Sequence, residues 1–337
     1  MAFLTTLIGS LMAGSSVGAA NLMATIPSDY ANSQMGGVTG SRVTTKVDAA
    51  PVVGAVKNLN RDPATFSVML DGESKIFLRQ YVYGVTDLKG SILMDADGDW
   101  ASGANPTGVI KAVPNAHAVT GFGNTIYATG YDQGQVGIAH IVDNQIAEDT
   151  TKTVDLKKDI KEKTGDIDAK AYDTYTDTNG SIQTTRVHGE GLLVKDGYLY
   201  VAASVNLKGG YDNYDNGYLM QYKINSDGGL SYNGYARIGK NTDQVKLNNY
   251  NHLILSTSIG GYQNYGFGNK ETSLDYVNIN GNNIGNLHDK KSIILPEQVK
   301  NDGYDFRDMK VLPDGTVYVK LPLPRSREAG SLCQCCY

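Results

Sequence analysis

The sequence predicts an all-β protein built from repeated units, and two observations lead to that prediction. Short runs of β-branched and aromatic residues follow Asp-Gly, Asn-Gly or Gly-Gly pairs, which is the pattern of strands joined by tight turns. A core strand with a bulky central residue also recurs along the chain, at spacings of 50, 73, 54 and 64 residues. Its central residues are Phe77, Tyr127, Tyr200, Ile254 and Tyr318.

The repeat has an internal order that is typical of β-propeller blades. Three of the core strands are followed by a polar loop and a second strand, in the segments QVGIAHIVDN, GYLMQYKINSDG and SLDYVNINGN. Such a unit leaves its apolar faces uncovered and buries them against its neighbours. We therefore expect a β-propeller-like domain over residues 50–322, with about five to six blades and an incomplete last blade. A pair of β-sandwiches or another repeated β fold is the alternative.

These repeats resemble exported bacterial β-propellers of the lactonase-like and NHL-like type. The resemblance covers residues 50–322 and is one of architecture. The sequence contains no WD dipeptide, no kelch Gly-Gly signature and no active-site motif of those families. The resemblance therefore implies a fold, and it transfers neither an activity nor a site residue.

The first 20 residues resemble a secretory signal peptide. An apolar stretch ends in the small residues of the segment VGAA, which suits signal cleavage. The usual basic start is missing, because no Lys or Arg precedes Arg42. A membrane anchor and a buried N-terminal helix are the alternatives, but five Ser and Thr side chains make the stretch a poor membrane span. We expect export to the periplasm, cell surface or exterior, a flexible linker over residues 21–49, and no membrane span in the mature chain.

Two further segments interrupt the repeats. Residues 149–186 are predicted to be a surface insertion that contains a short helix with the pairs Asp155/Lys158 and Asp159/Lys163. Residues 323–337 form an atypical tail, which holds all three cysteines of the chain and begins where a second strand is expected. The tail is either a Cys-rich metal-binding or lipid-accepting end or a frameshifted reading frame, and the jump in composition favours the frameshift.

Polar residues at equivalent positions of the repeats predict a site in the channel of the propeller. Four of them lie ten residues before a core residue, namely His117, Glu190, Gln244 and Asp308. His188 precedes Glu190 by two residues and so shares its strand face. Histidines and carboxylates that converge could hold a divalent metal, with His117, His188, Glu190 and Asp308 as ligands. Alternatively, these residues only hydrogen-bond to channel water and to neighbouring blades.

Two similar loops, GGYDNYDNG and GGYQNYGFG, occupy the same place in adjacent repeats. Their tyrosines, Tyr211, Tyr214, Tyr262 and Tyr265, are candidates for binding a glycan or a protein, because Tyr offers a stacking face and a hydroxyl at low entropic cost. Ordinary hairpin loops are the alternative reading of the same composition.

The overall composition narrows the choice of function. A net charge of −5 argues against a nucleic-acid partner, and phosphate-loop, dinucleotide and GxSxG nucleophile motifs are absent. The favoured hypothesis is an exported binding protein that recognises a ligand through its loops, with no catalytic residue assigned. The alternatives are a metal-assisted hydrolase or lyase of the lactonase-like type, and a structural component of the cell envelope.

Overall fold

A computed structural model gives the conformation of the greater part of the chain. The described residues are 22–27, 33–38, 56–59, 64–79, 92–94, 110, 112–113, 116–143, 145–171, 173–176, 179–207, 214–260, 271–279, 284–295 and 308–320. Within these ranges the chain forms β-sheets and a single α-helix, so the predicted all-β class is confirmed. The predicted signal peptide and the cysteine tail lie outside the described residues.

An N-terminal antiparallel sheet, which is not one of the numbered sheets 1 to 5, lies partly within the segment predicted to be a linker. Its strands follow the order β1-β2-β3 and are β1 (Leu22–Pro27), β2 (Ser33–Val38) and β3 (Val56–Leu59). Part of residues 21–49 is therefore paired backbone.

The next sheet, called sheet 1, follows the order β4-β5-β6. Its strands are β4 (Ala64–Leu70), β5 (Glu73–Arg79) and β6 (Ile92–Met94). Asp71 and Gly72 join the first two strands with φ angles of 49° and 83°. Both positive angles are what a two-residue hairpin turn requires, which explains why Asp-Gly is a strong hairpin signal in this sequence.

Sheet 2 is an antiparallel meander whose strands are adjacent in chain order. They are β7 (Ala116–Phe122), β8 (Thr125–Gly130), β9 (Gln135–Val142) and β10 (Gln145–Glu148). A short strand, β11 (Val154–Asp155), also pairs with β9.

The predicted insertion contains the helix α1 (Leu156–Lys163) and a hairpin of β12 (Thr174–Thr176) and β13 (Ile182–Thr184). Asp155 caps the helix by accepting a hydrogen bond from the Lys158 backbone N–H at 3.0 Å, and Asp159 pairs with Lys163 at 2.8 Å. The helix is therefore confirmed. The predicted pair Asp155/Lys158 takes a different form, because the Asp155 carboxylate accepts from the backbone N–H of Lys158 and not from the Lys158 ammonium group.

One face of α1 belongs to the protein core. Leu156 and Ile160 are fully buried, and Asp159 accepts a hydrogen bond from the Tyr222 hydroxyl at 3.0 Å. Burial raises the pKa of Tyr222 well above its usual value, so the phenol keeps its proton and donates it to Asp159. Within the predicted insertion, one face of the helix is therefore packed against the core through an apolar (i, i+4) pair, and its other face, with Lys161 and Glu162, is exposed.

Sheets 3 and 4 repeat the meander. Sheet 3 consists of β14 (Arg186–Lys195), β15 (Tyr198–Asn206), β16 (Tyr214–Ile224), β17 (Leu230–Lys240) and the parallel strand β21 (Asn286–Leu287). Sheet 4 consists of β18 (Thr242–Asn248), β19 (Leu253–Ser258), β20 (Ser273–Asn278) and β22 (Ser292–Ile293). The described part of sheet 5 is the hairpin of β23 (Asp308–Val311) and β24 (Val317–Lys320).

The core lies between successive sheets. The first strands of sheets 1 to 5 contact one another in chain order, β4 with β7, β7 with β14, β14 with β18 and β18 with β23. The predicted core residues Tyr127, Tyr200 and Ile254 are buried, and Tyr318 is half-buried. Among the described residues, no helix has the length and apolar character needed to cross a lipid bilayer.

Candidate metal centre

Three potential metal ligands meet where sheets 2, 3 and 4 adjoin. His117 lies on β7, Glu190 on β14 and Asp243 on β18, which are the first strands of these sheets. One ligand atom from each residue lies within 4.8 Å of the others. The cluster therefore draws one group from each of three consecutive repeats.

Each of the three residues lies at an irregularity in strand pairing. The register shifts between Ala116 and Ala118, between Gly189 and Leu192, and between Thr242 and Val245. A β-bulge inserts an extra residue into a strand and turns its side chain away from the regular alternation. The same local device thus occurs at the equivalent place in three sheets.

Two glycines allow β14 to approach both neighbouring sheets around Glu190. A Cβ on Gly191 would lie 2.8 Å from the carbonyl oxygen of Asp243, and a Cβ on Gly189 would lie 3.0 Å from the carbonyl oxygen of Gly130. Such distances are too short for a side chain, so the close approach depends on glycine at both positions. The Gly-Glu-Gly sequence therefore brings Glu190 within reach of its two partners.

Hydroxyl groups hold the ligand-bearing strands together across the sheet boundaries. Thr129 of β8 donates its hydroxyl to the Glu190 carbonyl oxygen at 2.6 Å and accepts a hydrogen bond from the Ala118 N–H at 3.0 Å. Ser204 of β15 likewise donates to the Thr242 carbonyl oxygen at 3.0 Å. In both cases a second strand is joined to the ligand-bearing first strand of the next sheet.

The cluster carries two buried carboxylates and a half-buried imidazole. His117 Nδ1 lies 2.8 Å from Glu190 Oε2, and the Glu190 side chain is 3% exposed. Asp243 is also buried, and its Oδ1 accepts a hydrogen bond from Gln244 Nε2 at 3.2 Å. Carboxylates that lose their water in this way require compensating positive charge or hydrogen bonds. An imidazole and two carboxylates are also groups that bind divalent metals.

His188 lies next to the cluster but is not one of its three members. Its ring stacks on Tyr131 at a centroid distance of 4.1 Å, and the Tyr131 ring also approaches His117 at 5.6 Å. Burial lowers the pKa of His188, so the neutral ring donates its Nδ1 proton to the Tyr131 carbonyl oxygen at 3.1 Å. His188, which was predicted to act together with Glu190, thus packs against the Tyr131 ring, and this ring in turn lies beside His117.

The ten-residue spacing locates part of this cluster. His117 and Glu190 come together as their spacing suggests, whereas Gln244 is a neighbour that hydrogen-bonds to the third member, Asp243. In sheets 2 to 4, His117, Glu190 and Gln244 each lie three positions before the residue that pairs with the core residue of the next strand. In sheet 5 the core residue Tyr318 pairs with Lys310, so Asp308 lies only two positions before the paired residue. The side chain of Asp308 is outside the described residues.

Asp243 was missed by the ten-residue count because the irregularity in β18 begins one position earlier, relative to the strand partner of the core residue, than those in β7 and β14. The signal for it was the carboxylate beside the predicted Gln244. Of the four candidate tyrosines, Tyr214 is 4% exposed at the start of β16, so its ring is not open to a ligand at the rim. Tyr211, Tyr262 and Tyr265 lie outside the described residues, and their role stays a prediction.

Comparison with known proteins identifies no family for this chain. No protein-family model matches it, and no curated protein sequence matches it either. Among solved structures, it is similar to apo AztD from Citrobacter koseri with 11% identity and a TM-score of 0.37, over 86% of this chain and 61% of AztD. The chain therefore spans less than two thirds of the length of AztD.

Two further solved structures are similar at the same low level. A putative 6-phosphogluconolactonase from Bacteroides fragilis has 9% identity and a TM-score of 0.33, over 91% of this chain and 89% of the other. The α-L-arabinanase of Cellvibrio cellulosa, complexed with arabinohexaose, has 12% identity and a TM-score of 0.33, over 83% and 96% of the two chains. With every one of these TM-scores below 0.5, none of the similarities bears on the activity of this chain.

Proposed function

We propose that this protein binds a divalent transition-metal ion, with His117, Glu190 and Asp243 as its protein ligands. One observation leads to this proposal, which is that ligand atoms of these residues, from three different sheets, lie within 4.8 Å of one another. Side chains so far apart in sequence converge only through the fold. Their types, one imidazole and two carboxylates, suit a metal ion.

The spacing is close to that of a coordinated ion. An ion that lies about 2.0–2.2 Å from each tetrahedral ligand holds the ligand atoms about 3.3–3.6 Å apart. His117 Nδ1 and Glu190 Oε2 are 2.8 Å apart, so these side chains would separate by less than about 1 Å to admit an ion. The ion would then replace the direct contact between His117 and Glu190.

The charge of the cluster also favours a divalent ion. Metal ligands bind in their deprotonated form, so a metal-bound cluster would contain two carboxylates and a neutral imidazole, and a divalent cation would neutralise their two negative charges. Because Glu190 and Asp243 are buried, their mutual repulsion is weakly screened by water. Among metals, the imidazole ligand favours Zn²⁺ over Ca²⁺ or Mg²⁺, which prefer oxygen ligands only.

The proposed setting of this ion is a β-propeller-like domain in which sheets 1 to 5 are blades. The supporting observations are that sheets 2, 3 and 4 each contain an antiparallel meander and that the first strands of the five sheets contact one another in chain order. First strands of successive blades line the axis of a propeller. His117, Glu190 and Asp243 would then face this axis.

We further propose that the protein acts as an exported binding protein in the periplasm, at the cell surface or outside the cell. This part of the proposal depends on the signal-like sequence of residues 1–20. Fractionation of the producing cells, followed by N-terminal sequencing of the mature protein, tests it. A mature start close to residue 20 supports export, and an intact start in the cytoplasm contradicts it.

A metal-assisted hydrolase or lyase is the second candidate, for a specific reason. Three protein ligands leave one position of a tetrahedral ion open to water or to a substrate, as in catalytic zinc sites. An ion held by His117, Glu190 and Asp243 would lower the pKa of a bound water and so supply a nucleophile for an ester or a lactone. Hydrolysis of a lactone by the zinc-loaded protein, lost on the change Glu190→Gln, would favour this candidate over a binding protein.

Isothermal titration of the metal-free protein with ZnCl₂ tests the metal proposal directly. We expect one ion per chain in the wild type, and at least about a hundredfold weaker binding in Glu190→Gln and Asp243→Asn. Glu162→Gln, on the exposed side of α1, is the matched control and should bind as the wild type does. Equal binding in the wild type and Glu190→Gln would contradict the proposal.

A further inference from the structure

A polar cleft lies between sheets 3 and 4, lined by residues other than the three metal ligands. Its volume is about 460 Å³, which is in the range of small-molecule sites. Its polar lining comes from sheet 3 and from the residues around sheet 4, namely Asn216, Lys240, Glu271, Thr272, Ser273, Lys290 and Ser292. The cleft is therefore large enough and polar enough to hold a small hydrophilic ligand.

The fully buried carboxylate of Asp275 orients the hydroxyls of this cleft. Its Oδ2 accepts hydrogen bonds from the Gly239 N–H at 2.8 Å, from Ser258 at 2.7 Å and from Ser273 at 2.9 Å. Its Oδ1 accepts one from Ser292 at 2.6 Å. Because Ser273 and Ser292 each donate their single hydroxyl hydrogen to Asp275, their oxygens can serve only as hydrogen-bond acceptors for a ligand, and Ser273 Oγ also accepts a long contact from Lys290 Nζ at 3.5 Å.

The two lysines of the cleft differ in how firmly they are paired. Lys240 Nζ lies 2.6 Å from Glu271 Oε1, a close ion pair. Lys290 Nζ lies 3.5 Å from Asp275 Oδ1 and 3.5 Å from Ser273 Oγ, both long contacts. Asp275 already accepts four shorter hydrogen bonds, so the ammonium group of Lys290 retains the capacity to bind a further anion.

An apolar wall completes the cleft. Ile293 and Leu295 line it, and Leu295 is packed against the core of sheets 4 and 5. A ligand that fits this lining has an anionic group for Lys290, hydroxyl groups that donate to Ser273 and Ser292, and a face of C–H groups. A sugar acid, which is a polyhydroxylated ring with one carboxylate, combines these three features.

We infer that this cleft is a binding site for a sugar acid, with Lys290 as the residue that selects its carboxylate. The inference goes beyond the metal proposal, since the cleft is lined without His117, Glu190 or Asp243. The four charges of Lys240, Lys290, Glu271 and Asp275 sum to zero. A ligand with a single carboxylate therefore suits the cleft better than a polyanion such as a diphosphate does.

Titration with D-glucuronate and D-glucose, followed by NMR of the protein, tests this site. The two sugars differ in the carboxylate alone, so D-glucose is the matched ligand control. We expect binding of glucuronate and at least about tenfold weaker binding of glucose. Equal binding of both, or binding of neither, would overturn the inference.

Substitutions then locate the binding. Lys290→Met keeps the length and apolar stem of the side chain and should weaken glucuronate binding about tenfold or more. Lys310→Met, at an exposed position of β23, is the control and should have no effect. Glu190→Gln should also leave glucuronate binding unchanged, which separates this site from the metal centre. An unchanged affinity in Lys290→Met would contradict the assignment.

Discussion

Buried carboxylates lie at two boundaries between sheets: Asp275 at one, and Glu190 and Asp243 at the proposed metal centre. The groups around Asp275 differ from those around the other two. Asp275 receives four hydrogen bonds from neutral donors, with Lys290 at 3.5 Å. Glu190 and Asp243 instead converge with His117. Asp275 is thus surrounded by donors that the fold supplies, whereas Glu190 and Asp243 share one imidazole, an arrangement in which a bound cation would add stabilising charge.

At the Asp275 site, the protein supplies the partners that replace water. At the proposed metal centre, β-bulges and glycines bring two carboxylates and an imidazole together, and we expect a bound cation to stabilise this arrangement. Substitutions and zinc addition should therefore affect the two sites differently.

The largest expected difference is between Asp275→Asn and Glu190→Gln. Asp275→Asn removes the charge on which four donors converge and adds an amide N–H₂ among them, so we expect the free energy of unfolding to fall by about 2–4 kcal/mol. Glu190→Gln lowers the charge beside Asp243 and keeps an oxygen that can accept a hydrogen bond from His117 Nδ1, so these effects should offset and the stability of the metal-free protein should change by less than about 1 kcal/mol. Urea denaturation in EDTA measures both values. A severe loss of stability in Glu190→Gln would break the contrast.

Addition of zinc should stabilise the wild type through the same carboxylates. Free Zn²⁺ at a hundredfold excess over its dissociation constant raises the free energy of unfolding by about 2.7 kcal/mol, because only the folded state has the assembled site. Thermal or urea unfolding with and without EDTA measures the difference. In Glu190→Gln, which should bind zinc at least about a hundredfold more weakly, the same addition should raise the free energy of unfolding by no more than about 0.4 kcal/mol. An equal stabilisation of this variant would place the ion elsewhere.

A pair of glycine substitutions should separate the two regions further. A Cβ at Gly191 meets the backbone of Asp243 and Val245, and a Cβ at Gly239 meets Ser258 and Asp275. Each crowded contact should cost about 1–3 kcal/mol in urea unfolding. Gly191→Ala should also weaken zinc binding, while Gly239→Ala should leave zinc binding intact. The opposite pattern of zinc affinities would be inconsistent with the account.

The smallest expected effect concerns the hydroxyl that positions Glu190. Thr129→Val removes the hydrogen bond to the Glu190 carbonyl oxygen and should lower zinc affinity about tenfold, with a loss of about 1–2 kcal/mol in stability. Thr129→Ser keeps the hydroxyl and should restore the zinc affinity. Thr164→Val removes a comparable buried hydroxyl bond at the end of α1 and is the control. Equal zinc affinities in Thr129→Val and Thr129→Ser would argue against a positioning role.

The repeats and two of the metal-centre residues were within reach of sequence reasoning. The separation between a core residue and its strand partner is seven residues in sheets 2, 3 and 4, so a count of ten residues reaches equivalent positions at His117 and Glu190. In sheet 5 the same count of ten reaches a position one residue nearer the turn, because the paired residues Lys310 and Tyr318 are eight residues apart. Constant spacing thus predicts register only where the turns keep the same length.

The remaining features depend on contacts that spacing does not encode. Asp243 belongs to the cluster and lies at a bulge in β18, whereas the ten-residue count selects its neighbour Gln244. The buried face of α1 was visible in part, since Leu156 and Ile160 are four residues apart and form an apolar pair on one side of a helix. The cleft around Lys290 combines residues from separate strands and a loop, which only the tertiary structure brings together.

A crystal structure of the zinc-soaked protein, with anomalous data collected at the zinc absorption edge, tests the central claim most directly. The account predicts one strong peak about 2.0–2.2 Å from a ring nitrogen of His117 and from a carboxylate oxygen of each of Glu190 and Asp243. The same crystals of Glu190→Gln should show no peak there. A site that stays empty in the wild type, or a peak bound by other residues alone, would contradict the account.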